Sequence, residues 1–132
     1  MSLTFTILGC GSSMGVPRVA LGWGSCDPNN PKNRRRRCSL LVERVQGQGK
    51  VTRVLVDCSP DLRMQLLDAE VDWIDGVLVT HEHADHTHGI DDLRPLFVVF
   101  RGDALQDLTA SSRLGALAVW QGFYASVPIT AG

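Results

Sequence analysis

The chain has 132 residues, of which 44% are hydrophobic and 20% are charged, an ordinary balance for one globular domain with its own core. Thirteen basic and fourteen acidic side chains give a net charge of −1, which gives no general reason to expect nucleic-acid binding. No apolar run approaches the roughly 20 residues that cross a bilayer, and the N-terminus lacks the basic segment of a signal peptide. We therefore expect a single domain, residues 1–132, in the cytoplasm, with no membrane partner.

The first third of the chain predicts a strand followed by loops. Leu3–Leu8 is rich in β-forming residues and predicts the first strand. The glycine-rich residues 9–15 that follow either line a substrate pocket or form only a tight turn. Because their spacing is not G-x-G-x-x-G at the start of a helix, a dinucleotide site is not expected. Residues 21–37 contain Gly, Pro and Asn breakers and predict an irregular loop.

A hairpin and a helix are predicted next. Ser39–Val45 and Val51–Val56 have the composition of strands, and the glycine-containing segment Gly47–Gly49 between them predicts a turn. Ser59 and Pro60 are typical of a helix start, with Ser59 as the N-cap and Pro60 at the first helical position. Apolar residues continue after them at helical spacing, which predicts a helix packed on the hairpin.

The second half begins with a short apolar strand. Ile74–Thr80 is apolar and β-branched, which predicts a buried strand. Ile90–Phe100 predicts a helix that Pro95 interrupts. Further on, residues 105–108 and 114–119 have weaker helical patterns.

All four histidines of the chain lie between His81 and His88, directly after this strand. In an extended chain residues two apart point to the same side, so His81 and His83 can bind one metal ion together. The chain then turns, and Asp85 and His86 can reach a second ion. Imidazole nitrogen with carboxylate oxygen suits Zn²⁺, with Mn²⁺ or Fe²⁺ as alternatives. Three histidines and an aspartate within six residues argue against a merely solvated loop.

Two neighbours of this cluster are left outside the predicted ligand set. The same alternation directs Glu82 away from the ions. His88 lies just past the cluster and is not expected to bind metal. Asp57 ends the second hairpin strand, where it either orients a metal-bound histidine or serves only as a helix-entry residue.

The histidine cluster also carries a family resemblance. The segment THEHADH resembles the H-x-H-x-D-H motif of the metallo-β-lactamase superfamily, and it follows a strand as that motif does. LGCGSSMGVPR, NRRRRCSLLVE, VDCSPDLRMQLL and HTHGIDDLRPL resemble the branch that contains phosphoribosyl 1,2-cyclic phosphate phosphodiesterase. This resemblance covers the chain from about Leu3 to Leu96 and continues more faintly to Ile129.

The resemblance implies a fold, an activity and a ligand set. The implied fold class is α/β, the N-terminal half of a metallo-β-lactamase αβ/βα sandwich. His81 and His83 would hold one ion, and Asp85 and His86 the second of two. A metal-bound hydroxide would attack a small phosphodiester, with Asp85 as the catalytic residue that orients it. Because no histidine follows His88, the family's later ligands are missing and we expect an incomplete domain.

Three other functions remain open. The first is a thioester or lactone hydrolase on the same fold. The second is a tRNA 3′-processing ribonuclease, although no long basic arm is present. The third is a non-catalytic metal-binding fragment, which the missing ligands favour. A homo-oligomer is also left open, since a second chain could supply further ligands.

The remaining signals are weaker. The arginine run, Arg34–Arg37, could bind a phosphate or nucleic acid, but a solvated loop is the preferred interpretation. The four cysteines are expected to be free thiols, with no disulfide between Cys26 and Cys38 and no structural zinc on them. Arg94 is expected to pair with one of the two preceding aspartates. The scattered tryptophans are interpreted as core or packing residues: Trp23, Trp73 and Trp120.

Overall fold

Four strands form one mixed sheet in the order β1-β2-β3-β4 in a computed structural model that describes residues 2–99. The first three strands pair antiparallel and β4 pairs parallel with β3. The predictions for β2 and β3 are confirmed at both ends, and the predicted β1 is confirmed with one more residue at each end. The strands are β1, Ser2–Gly9; β2, Ser39–Val45; β3, Val51–Val56; and β4, Gly76–Leu78.

The sheet has a helix-covered face and an open face because its side chains alternate. Leu41 and Leu55 lie opposite each other in the β2–β3 register and are both buried. Leu3, Phe5 and Ile7 of β1 point to the other face and are 56%, 61% and 70% exposed. Within residues 2–99, nothing covers that second face as fully as the helices cover the first.

Three short helices complete the described structure: α1, Leu62–Asp68; α2, Ala84–Thr87; and α3, Arg94–Val99. Single 3₁₀ turns lie at Pro31–Asn33, Gly47–Gly49 and Ile90–Leu93. Side chains from β3, the segment after it, α1, β4 and the turn before α3 form the core: Leu55, Cys58, Leu62, Leu66, Val77 and Leu93. Among the described helices none is long and apolar enough to cross a membrane.

The start of α1 differs from the prediction. Ser59 is not the N-cap, because the helix begins at Leu62 with Asp61 at the cap position. The Ser59 hydroxyl accepts a hydrogen bond from the Asp61 N–H and donates to Gln65 Oε1. Its side chain therefore joins a buried network instead of capping the first turn. The Asp61 carboxylate does not cap the helix either, because Arg37 engages it.

Two later elements also depart from their predicted bounds. β4 is shorter than Ile74–Thr80, since the Thr80 N–H donates to the Asp57 carboxylate rather than to a neighbouring strand. Pro95 does not interrupt a helix. It lies in the first turn of α3, where a backbone N–H forms no hydrogen bond within the helix, so its absence in proline costs nothing. Phe100 and the weak patterns at 105–108 and 114–119 lie outside the described residues.

Trp23 and Trp73 are half-buried and each packs against an arginine. The Arg34 guanidinium lies 5.7 Å from the ring centre of Trp23 and that of Arg53 lies 3.5 Å from the ring centre of Trp73. Both residues are half-buried, which agrees with their interpretation as core or packing residues. Trp120 lies outside the described residues.

Candidate metal centre

The predicted ligands lie in the loop and short helix that follow β4, beside the end of β3. Two backbone hydrogen bonds join these segments, from Cys58 N to His86 O (2.8 Å) and from Gly89 N to Cys58 O (2.9 Å). A Cβ on Gly89 would lie 1.9 Å from the Ser59 carbonyl oxygen, so only glycine permits this approach. The β3 end thus fixes the position of α2 and of the residues on it.

Asp57 is the buried centre of the site. Its side chain and backbone are only 3% exposed, and its φ of 65° lies in the left-handed region that non-glycine residues rarely adopt. The carboxylate accepts hydrogen bonds from Thr80 N at 2.7 Å and from Thr80 Oγ1 at 2.9 Å. Its backbone carbonyl accepts from Ser39 Oγ at 2.9 Å. These partners hold one carboxylate oxygen toward the histidines.

His86 is oriented by that carboxylate. His86 Nδ1 lies 2.7 Å from Asp57 Oδ2, and because an ionised carboxylate only accepts hydrogen bonds, Nδ1 carries the proton. His86 Nε2 lies 3.2 Å from Asp85 Oδ2 on the opposite side of the ring. Of the two roles left open for Asp57, the orienting contact to His86 is the one that the structure contains.

His81 and His83 form the second pair. His81 Nε2 lies 3.2 Å from His83 Nδ1, and His81 Nδ1 lies 3.0 Å from Thr80 Oγ1. Thr80 therefore contacts both His81 and the Asp57 carboxylate that orients His86. The His81 and His86 rings lie with their centres 4.0 Å apart, so the two pairs are neighbours.

The donor spacing within each pair fits a metal ion. Two ligand atoms at about 2.0–2.1 Å from a tetrahedral zinc ion lie about 3.3 Å apart. The His81–His83 and Asp85–His86 pairs both have facing donor atoms at 3.2 Å. Two lone pairs at that distance repel each other unless a proton or a cation lies between them. The residues therefore fit a metal ion in donor type and in spacing.

The four side chains form two pairs and do not meet at one common point. Among residues 2–99 no group of three or more His, Cys, Asp or Glu side chains is arranged to hold a metal ion. They meet as two pairs because His81 and His83 precede the turn into α2, whereas Asp85 and His86 lie within it. Glu82 and His88 are exposed. The ligand roles of the four residues remain a prediction.

An ion pair beside the site was missed by the sequence analysis. Arg37 donates from Nε (3.0 Å) and Nη2 (2.8 Å) to the two oxygens of Asp61, which also accepts from the Arg37 N–H. The hydrogen bond from Arg37 holds the pKa of Asp61 below its usual range. The hydrogen bond to Asp61 raises the pKa of Arg37, and the nearby Asp85 adds to that rise. No spacing rule in the sequence marks this long-range pair.

The arginine run is thus divided. Arg34 and Arg35 are exposed, as the solvated-loop interpretation expects. That interpretation is wrong for the other two, since Arg36 pairs with Asp68 and Arg37 pairs with Asp61, both against α1. The predicted contact of Arg94 is confirmed, with Nε 3.0 Å from Asp91 Oδ1.

All four cysteines are free thiols, so the prediction of no disulfide between Cys26 and Cys38 is confirmed. Cys58 is fully buried directly behind Asp57, and burial raises its pKa to about 12. Burial and then the charges of Asp57 and Asp85 also raise the pKa of the Cys38 thiol. Both thiols are therefore held in the neutral form next to the acidic site.

Comparison with known proteins supports the family resemblance. The model of a family described as Beta-lactamase superfamily domain matches residues 52–127, more than half of the chain. An octanoyltransferase from Porphyromonas gingivalis is 47% identical over 90 residues, which are 68% of this chain and 18% of that protein. A ribonuclease Z from Clostridium kluyveri is 25% identical over 129 residues, 96% of this chain and 35% of that protein.

Solved structures agree with the sequence relatives. A diphosphatase from the PhnP family is 44% identical with a TM-score of 0.59, covering 73% of this chain and 36% of that one. Zn²⁺-bound PqqB from Methylobacterium extorquens is 22% identical with a TM-score of 0.51, covering 83% and 43%, and shows the fold alone. The chain thus spans between about a fifth and two fifths of these proteins. With its mixed sheet and flanking helices, the chain belongs to the β-lactamase superfamily and contains part of the metallo-β-lactamase fold.

Proposed function

We propose that the chain supplies four ligands of a two-metal centre in a metal-dependent phosphodiesterase, with zinc as the metal and Mn²⁺ or Fe²⁺ as alternatives. One observation carries this proposal: the facing donor atoms of His81 and His83 lie 3.2 Å apart, and so do those of Asp85 and His86. The buried carboxylate of Asp57 behind them holds Thr80 and His86 by hydrogen bonds, which supports the proposal.

Bound metal ions would supply Lewis-acid stabilisation of the charge on a phosphoryl group and lower the pKa of a water nucleophile. The residues of the chain prepare that chemistry. Thr80 and Asp57 fix the rings of His81 and His86 so that one nitrogen of each faces its partner. Asp85 lies at the same edge, where its carboxylate would also orient the attacking water, which is why we assign it the catalytic role.

A small phosphodiester is the proposed substrate. The 44% identity to a diphosphatase favours phosphorus–oxygen chemistry over the hydrolysis of thioesters or lactones. A cytoplasmic location, the absence of a nucleic-acid or membrane partner, and a homo-oligomer are further parts of the proposal. Four donors are fewer than two tetrahedral zinc sites require, so the remaining ligands must come from elsewhere.

The second candidate is a ribonuclease. It is favoured by the match to a ribonuclease Z, which extends over 96% of the chain at 25% identity. The octanoyltransferase is more similar, but the matching segment is 18% of that protein, so its transferase activity need not reside there. A non-catalytic metal-binding role is the third candidate.

The test is hydrolysis of bis-p-nitrophenyl phosphate with Zn²⁺ or Mn²⁺ added. The 132-residue chain alone should show little or no turnover, since its ligand set is incomplete. A protein of the relatives' length that contains this segment should turn over. That activity should be lost in His83→Ala and kept in His88→Ala, a matched control whose side chain is exposed outside both pairs.

Two outcomes would contradict the proposal. Strong, His83-dependent turnover by the 132-residue chain would show that its ligand set is complete. Absence of turnover in the longer protein, together with cleavage of a tRNA 3′ trailer, would replace the small phosphodiester by RNA.

A further inference from the structure

A groove with a volume of about 410 Å³ lies between the edge strand β1, the loop before β2 and the end of α1. Residues 6–10 line one part, and Gln65 and Asp68 of α1 line another together with Ala69, which follows the helix. Lys32 and residues 34–36 complete it. None of these residues belongs to the His81–His86 cluster, so the groove is separate from the proposed metal centre.

The charge of the groove is strongly unbalanced. Four cationic residues line it, Lys32 and Arg34–Arg36, against one carboxylate, Asp68. Asp68 is already paired with Arg36. Lys32 and Arg35 are exposed and form no ion pair with another residue in the described part of the chain. Clustered like charges repel each other, and an anion bound between them relieves that repulsion.

The cationic wall is held in place by backbone hydrogen bonds. Arg35 N donates to Val16 O (2.9 Å) and Val16 N donates to Arg35 O (2.8 Å). Lys32 lies on a 3₁₀ turn whose N-cap, Asn30, accepts from the Lys32 N–H at 3.0 Å. The backbone that carries these cations is therefore fixed before any ligand binds, which lowers the entropy lost on binding.

The groove also has an apolar part. Ile7, Leu8 and Ala69 are among its lining residues, and Ile7 is 70% exposed. A volume of about 410 Å³ lies in the range of small-molecule sites, and guanidinium groups match phosphate oxygens in geometry. We infer that this groove binds an organic phosphate with at least two phosphoryl charges and an apolar portion, of the class of a nucleoside triphosphate.

The test is isothermal titration of the 132-residue chain with ATP at 150 mM ionic strength, with EDTA present so that no metal at the histidine cluster bridges to the phosphates. Arg35→Glu should weaken binding by about tenfold or more, the factor that corresponds to one charge-assisted hydrogen bond. Lys50→Glu makes the same charge change in the exposed turn before β3 and should have an effect below about twofold, because screened distant charges contribute little.

Further arms identify the ligand. Inorganic pyrophosphate should bind more weakly than ATP, because it lacks the organic part that the apolar wall contacts. Equal binding of the two would overturn the assignment of an organic phosphate. If Lys50→Glu weakened ATP binding as much as Arg35→Glu does, the net charge of the chain and not the groove would explain the effect, and the assignment would be overturned. Tighter binding of single-stranded RNA than of ATP would assign the groove to nucleic acid instead. Circular dichroism of Arg35→Glu, whose side chain is exposed, checks that the fold is retained.

Discussion

At the scale of single residues, Asp57 decides the geometry of the proposed centre. Its buried carboxylate accepts hydrogen bonds from both Thr80 and His86, while its backbone takes a left-handed conformation that costs roughly 1 kcal/mol or more. Hydrogen bonds to β4, Ser39 and Thr80 hold the backbone of Asp57 in this strained conformation. Strain at a buried acidic residue beside histidines is typical of a functional site.

Replacement of Asp57 by asparagine should weaken metal binding while keeping most of the shape. An amide has one oxygen acceptor, so it cannot satisfy Thr80 and His86 as the two carboxylate oxygens do. Zinc affinity should fall by about 10–100-fold, as for other residues that orient a metal-bound histidine. Asp91→Asn, at a side chain that is 77% exposed, is the control. An unchanged zinc affinity in Asp57→Asn would remove its orienting role.

Cys58 should be inert to thiol reagents in the folded chain. It is fully buried, whereas Cys10 and Cys38 are exposed and should react first. Its pKa is raised from 9.0 to about 12, so the stability gained from its neutral form is complete below pH 9 and is lost as the pH rises toward 12. Urea unfolding between pH 8 and 11 should therefore lose stability more steeply than in Cys58→Ala. Parallel slopes in the two proteins would contradict this.

The residue scale also shows what the sequence could predict of the site. The i, i+2 spacing correctly placed His81 beside His83, and the turn after them placed Asp85 beside His86. The contact of Asp57 with His86 was only one of two alternatives, because it joins residues 29 positions apart, where the segment after β3 meets α2. The Arg37–Asp61 pair was not predicted for the same reason.

At the scale of elements, strands were predicted better than helix starts. β2 and β3 were predicted to the residue, since alternation and a glycine turn determine a hairpin locally. The start of α1 was predicted two residues early, because the Ser59 hydroxyl is drawn into a tertiary network with Gln65. Capping rules consider only neighbouring residues, so they cannot predict that Ser59 bonds to Gln65 instead of capping the helix.

The contact between the β3 end and the loop after α2 gives a prediction for Gly89. In Gly89→Ala the new methyl group would lie 1.9 Å from the Ser59 carbonyl oxygen, and the backbone must move. The free energy of unfolding should fall by about 2 kcal/mol or more, the upper range of overpacking. Gly47→Ala is the matched control, because no atom lies within 4 Å of the added group. Urea denaturation measures both, and equal midpoints for the two variants would contradict the close approach.

At the scale of the whole molecule, the open face of the sheet is the main feature left without a partner among residues 2–99. Leu3, Phe5 and Ile7 of β1 are more than half exposed, and Leu78 of β4 is 50% exposed. Single exposed apolar residues are normal on a protein surface, but a contiguous row of large ones usually marks a contact surface. The resemblance implied a sandwich of two facing sheets, and the described residues contain one of them.

This face should make the 132-residue chain associate. Light scattering coupled to gel filtration should show a mass that rises with concentration, and the double variant Phe5→Thr, Ile7→Thr should reduce that rise, because threonine keeps β-propensity and removes apolar area. Thr4→Ser, on the opposite side of the same strand, is the control. A strictly monomeric chain at all concentrations would show that the face is covered within the chain itself.

The central claim is that His81, His83, Asp85 and His86 bind metal as two pairs, and zinc titration by calorimetry tests it most directly. The wild-type chain should bind zinc, His83→Ala should lose about tenfold or more in affinity because one of two paired donors is gone, and His88→Ala should be unchanged. Equal affinities for wild type and His83→Ala, or an equal loss in His88→Ala, would contradict the account.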